Sequence, residues 1–150
     1  MEDFVGACLE RKKDTEALLK LKKHNIAALH LGGITIECRL KSLLILYHSI
    51  SEWNEKSRRR NDSMFNQQIQ NPGHSLVTAL RHMPKLYQLA RSDKQLLKHL
   101  NCIIYPFGAT STDYISLRYF CQASQFQHDE WKKSFEYVYG WLKKNEAKIL

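Results

Sequence analysis

Glu37 and Lys41 stand four residues apart, the spacing that puts two side chains on one face of a helix. There they are either a helical ion pair or a polar patch beside a phosphate site. His74 follows the turn signal Asn71-Pro72-Gly73, at or just before the start of a helix. Free N–H groups at such a start suit an anion, and a neutral imidazole satisfying the turn backbone is the other reading. Arg118 and Tyr119 adjoin, with Tyr114 and Phe120 close by. Arginine grips phosphate with two parallel donors, and an exposed tyrosine stacks a base. Alternatively, Tyr119 is core and Arg118 ties helices together through a carboxylate such as Glu37. The run Arg58-Arg59-Arg60 is a solvated charge cluster or a salt-sensitive phosphate grip. For proton transfer the candidates are His74 or His128 as base, with Arg118 as phosphate clamp.

Other chemistries lack their residues. The seven histidines include no H-E-x-x-H and no pair four apart, so no metal site is expected. There is no glycine-rich loop ending in Gly-Lys-Ser/Thr and no G-x-S-x-G elbow, and no cofactor is implied. Cys8, Cys38, Cys102 and Cys121 form no C-x-x-C pair, and Cys38 and Cys102 read as reduced, buried thiols. With no basic-then-apolar stretch after Met1, this points to a reducing cytosol.

These groups need elements to hold them. At 150 residues, 43% hydrophobic and 25% charged, the chain fits a single domain over 1–150. No apolar run approaches the ~18 residues of a membrane span. The formal charge of +8 favours polyanionic partners such as RNA, a nucleotide or an acidic surface. Six glycines and three prolines favour long helices over short strands. The expected fold is all-α, an up-and-down antiparallel bundle of four to six helices. Apolar residues recur at helical spacing from Leu18 to Tyr47. Gly32-Gly33 lies inside that pattern, either as a small-residue face that admits another helix or as a kink. Residues 52–74 read as a mobile polar loop with a helical turn near Met64–Ile69, and Trp53 at its border as exposed. Helix resumes at Ser75, with a kink or restart at Pro84. Ser92 caps a further helix with Gln95 at its third position. A short helix is expected from Asp113 to about Ala123, then a last helix over Asp129–Ile149 on the stripe Trp131, Phe135, Val138, Leu142. Trp131, Trp141, Tyr137 and Tyr139 read as packing or dimer contacts.

The segment from Asn25 to Ile45, with its Ala27-Ala28 lead, mid-helix glycines and then Glu37-Cys38-x-Leu40-Lys41, resembles the first long helix of HEPN domains. HEPN stands for higher eukaryote and prokaryote nucleotide-binding. Gly73-His74-Ser75-Leu76 resembles that family's opening of a later helix, and Arg118-Tyr119 its Arg-Tyr pair before the final helix. The resemblance implies an α-helical bundle, often a homodimer, working near nucleotides or RNA. Many members are metal-independent ribonucleases, as toxins or defence effectors; others pair with a nucleotidyltransferase or only bind. The ribonuclease members carry Arg, four to six residues, then His. No histidine here has that spacing: nine residues separate Arg118 from His128, and seven separate Arg91 from His99. The resemblance therefore implies a binding module without the usual cleavage chemistry. A ribonuclease with a rearranged Arg/His site and a structural dimerisation module are the alternatives.

Overall fold

The computed structural model describes residues 1–108, 112–121 and 128–150. Asp3 starts helix α1 (Phe4–Leu21) by accepting from the Gly6 N–H at 2.8 Å. Surface pairs such as Lys13–Glu10, at 2.8 Å, line its outer face. The helix ends where Lys22 turns left-handed at φ 54. Helix α2 (Asn25–His48) then runs back along α1. The apolar pattern from Leu18 onward is thus two antiparallel helices joined through residues 22–24.

Gly32 and Gly33 do not break α2. They are where other parts of the chain approach it. A Cβ on Gly32 would sit 2.3 Å from the Trp131 ring, and one on Gly33 2.1 Å from the Tyr114 ring. The small-residue face is real, and half of what it admits is a loop tyrosine rather than a helix.

Helix α3 (Leu76–Arg81) is capped by Ser75, whose hydroxyl accepts from the Thr78 N–H at 3.1 Å. Helix α4 (Pro84–Ser92) restarts with Pro84 in its first turn, where a missing N–H costs nothing. Ser92 does not cap the next helix: it belongs to α4 and donates its hydroxyl back to the Leu89 carbonyl at 2.8 Å. The cap of α5 (Lys94–Ile104) is Asp93, which is extended and accepts from the Leu96 N–H at 3.0 Å. A carboxylate is the stronger acceptor there and also receives Trp141 Nε1 at 3.0 Å.

The helix expected over Asp113–Ala123 is a single 3-10 turn, Ser116–Tyr119, with Ala123 outside the described residues. Helix α6 (His128–Ile149) closes the molecule, and its stripe Trp131, Phe135, Val138 and Leu142 is buried. The chain is therefore an all-α helical bundle, with six α-helices among the described residues. Among those residues no helix is long and apolar enough to cross a membrane.

Residues 52–74 form an irregular, cross-bonded loop. Lys56 bridges antiparallel to Gln68, and Asn54 donates to the Ile69 carbonyl at 2.8 Å. Ile69 is fully buried. No helical turn forms at 64–69, because Asn66 is left-handed at φ 64 and reverses the chain. Trp53 is half-buried against Phe4, with ring centroids 5.9 Å apart, rather than exposed. Cys8 and Cys38 are buried, and burial pushes the Cys38 thiol up to about 11. Cys102 is half-buried and Cys121 exposed.

Candidate functional site

Glu37 on α2 gathers side chains from three separate parts of the chain. Its Oε1 accepts from Lys41 Nζ at 2.7 Å. Its Oε2 accepts from the Tyr114 hydroxyl at 2.8 Å and from His74 Nδ1 at 2.9 Å. Glu37 and Lys41 are each only 6% exposed. The helix supplies both by their spacing, the turn before α3 supplies His74, and the stretch before the 3-10 turn supplies Tyr114. Tyr114 reaches Glu37 because Gly33 has no side chain to hold its ring away. His30 Nδ1 lies 2.8 Å from the Tyr114 carbonyl and fixes the backbone there.

The charges balance inside this cluster. Carboxylate and ammonium neutralise each other, and the Lys41 ammonium also lies 5.4 Å from the centre of the Phe4 ring. Burial, followed by the Glu37 charge, drives the Tyr114 hydroxyl well above its ordinary 10, so it remains a neutral donor. Its oxygen is also 2.8 Å from the His74 carbonyl, so its single proton serves one of two acceptors at a time.

His74 is the cluster's opening to solvent, with its side chain 55% exposed. A carboxylate only accepts, so Nδ1 carries the proton that faces Glu37. In the neutral ring Nε2 then holds a lone pair. A carboxylate-oriented imidazole of this kind can accept or deliver a proton, or donate to an anion when protonated.

The remaining candidates are dispersed. Arg118 is exposed, with its guanidinium 4.8 Å from the centre of the Tyr119 ring. Tyr119 is 78% exposed and Phe120 50%, so Tyr119 is not core. Arg118 does not tie to Glu37, because Lys41, Tyr114 and His74 occupy that carboxylate. His128 sits apart from His74: Nε2 is 2.9 Å from the Leu19 carbonyl at the end of α1, and Nδ1 is 3.2 Å from Asp129. Both ring nitrogens thus face acceptors on α1 and α6 rather than the Glu37 cluster.

The arginine run divides by role. Arg59 turns inward to the Ile149 carbonyl at 2.5 Å, with its guanidinium 3.9 Å from the centre of the Tyr47 ring. Arg58 pairs with Glu55 at 3.0 Å and is exposed, as is Arg60.

Sequence reasoning missed Tyr114 as a partner of Glu37. The two are 77 positions apart, and the available signal was Gly33, a glycine in mid-helix that required something large against it. It also missed His48, which is fully buried with Nδ1 2.7 Å from the Ser57 hydroxyl and Nε2 2.6 Å from the His82 carbonyl. Among the described residues no group of three or more His, Cys, Asp or Glu side chains is placed to hold a metal ion. The chain matches no protein-family model, no curated protein and no solved structure.

Proposed function

We propose that this chain is a helical module of HEPN type that binds single-stranded RNA or a nucleotide around His74, Arg118 and Tyr119. The observation that carries this reading is Tyr119, 78% exposed with a guanidinium over its ring. An uncovered aromatic beside a cation suits a base stacked next to its phosphate. The surplus of +8 supports the same ligand class. Tyr114 supports the grouping, since its hydroxyl meets the His74 carbonyl and Arg118 follows it by four positions in the chain. A second copy of the chain or a nucleotidyltransferase is the partner this reading expects.

Fluorescence anisotropy with a labelled 12-nucleotide oligouridylate, and competition by ATP, tests it at ~50 mM salt, where phosphate contacts are strongest. The expected result is saturable binding that Tyr119→Ala weakens by about 1–3 kcal/mol. Absence of binding to either probe refutes the reading.

The Glu37–His74 geometry favours a second reading, a metal-independent ribonuclease. His74 Nε2 would take the proton of a ribose 2′-hydroxyl, with Arg118 on the phosphate. Cleavage of the oligouridylate in EDTA, abolished by His74→Asn and by Arg118→Ala, supports it. Intact RNA ends it.

A further inference from the structure

The loop of residues 52–74 carries a second surface that the His74 cluster does not use. Side chains of extended backbone point alternately to opposite sides. After the Lys56–Gln68 bridge, the loop's first arm follows that rule. Ser57 points in, its hydroxyl 2.7 Å from His48 Nδ1, and Arg59 points in to the Ile149 carbonyl. Lys56, Arg58 and Arg60 point out, and all three are exposed. Lys56 and Arg58, two positions apart on this arm, lie about 6.6–6.8 Å apart along the chain, and Arg60 follows at the turn beyond them.

Phe65 on the returning arm is 47% exposed, and it lines the same surface depression of 530 Å³ as the three cations. That volume falls within the range of small-ligand sites, about 300–1,000 Å³. The acid in the lining is Glu55, whose carboxylate is already bound by Arg58 at 3.0 Å and by the Ser51 hydroxyl at 3.0 Å. Glu55 offsets one of the three cations, Arg58, so the lining keeps a net positive charge from Lys56 and Arg60, with an aromatic face beside it.

We infer that this depression is a sequence-independent subsite for single-stranded RNA, with Lys56, Arg58 and Arg60 on successive phosphates and Phe65 under an unpaired base. Cations alone would accept any polyanion. The exposed ring selects a strand whose bases are free to stack, which a duplex does not offer. The inference rests on the RNA-binding reading above and adds a contact surface separate from His74, Arg118 and Tyr119.

The test is a salt titration of the full chain with the labelled 12-nucleotide oligouridylate between 50 and 200 mM salt, about the range in which phosphate contacts dominate. The double variant Arg58→Gln/Arg60→Gln should flatten the slope of log affinity against log salt by about 1.4, two contacts at ~0.7 each. Phe65→Ala should weaken binding about 5- to 150-fold and leave the slope alone. A 12-base-pair duplex and an oligoglutamate peptide should compete poorly. All three side chains replaced are exposed, and equal thermal melts establish that the variants fold. Arg59→Ala is the contrasting variant, expected to lower the melting temperature because its guanidinium is a structural clasp. If the wild type binds and the loop variants keep its slope and affinity, the inference falls while the RNA-binding reading stands. Equal competition by oligoglutamate also overturns it. If the wild type binds no RNA at all, both fall.

Discussion

Replacing Glu37 by Gln removes one charge from the interior and nearly nothing else. The amide keeps the shape and retains one oxygen for His74 or Tyr114. Lys41 is the group left exposed to the consequence. Its ammonium lies 2.7 Å from Oε1, and its side chain is 8% exposed, so solvent cannot take over the lost counter-charge. Breaking a buried pair from one side costs about 3–5 kcal/mol. For a chain of this length each kcal/mol lowers the melting temperature by about 2–4 °C, so Glu37→Gln should lower it by about 6–20 °C. Adding Lys41→Met to Glu37→Gln removes the stranded charge and should return at least half of the loss, because a neutral, filled interior substitutes well for a buried pair. Urea unfolding of the wild type, both single variants and the double variant supplies the four free energies of the cycle. A Glu37→Gln loss under about 1 kcal/mol, or a double variant no better than the worse single one, would refute the claim that this pair is an interior ion pair holding His74.

Three further outcomes follow from the same packing. Burial lowers His48, His82 and His99 from their ordinary 6.5, so each takes up a proton less readily in the fold than in the unfolded chain. Their stability contribution is complete above pH 6.5 and is lost as pH falls below it, at up to about 1.4 kcal/mol per pH unit for each group. Thermal melts from pH 7.5 to 5.5 should therefore fall, and His48→Gln should flatten the fall; a flat wild-type profile contradicts this. Gly33→Ala should destabilise by about 1–3 kcal/mol despite alanine's better helix propensity, because its Cβ would lie 2.1 Å from the Tyr114 ring. Denaturant midpoints check it, and a stabilised variant would show that the contact is loose. Asp93→Ala removes the cap of α5 and the acceptor of Trp141 Nε1, so it should cost about 1–2 kcal/mol and change the tryptophan emission. Unchanged emission and stability would mean that the cap carries little.

Local chemistry made the helices legible. Stripes of apolar residues, Pro84 at a restart and the acids opening α6 are nearest-neighbour signals, and each appears where the spacing placed it. Boundaries were harder when two residues competed for one role. Ser92 and Asp93 both suit a cap, and the carboxylate takes it. The cluster was half legible. Glu37 and Lys41 declare themselves through helix periodicity, and His74 through its turn, but their meeting depends on long-range packing. Tyr114 was invisible as a partner because no local pattern encodes which ring fills the space over Gly33. The arginine run was only partly legible for a related reason: adjacent residues look alike in sequence, whereas Arg59 turns inward to the Ile149 carbonyl and its two neighbours are exposed.

The account's central claim is that RNA meets the chain around His74, Arg118 and Tyr119. The most direct measurement is a heteronuclear NMR titration of the isotope-labelled chain with the unlabelled 12-nucleotide oligouridylate at low salt. The account predicts saturable shifts in the His74 imidazole and in the Arg118 and Tyr119 signals, while Gly140 and Lys144 on α6 stay silent. Saturable shifts that leave His74, Arg118 and Tyr119 unmoved, or a spectrum that RNA does not change, would contradict it.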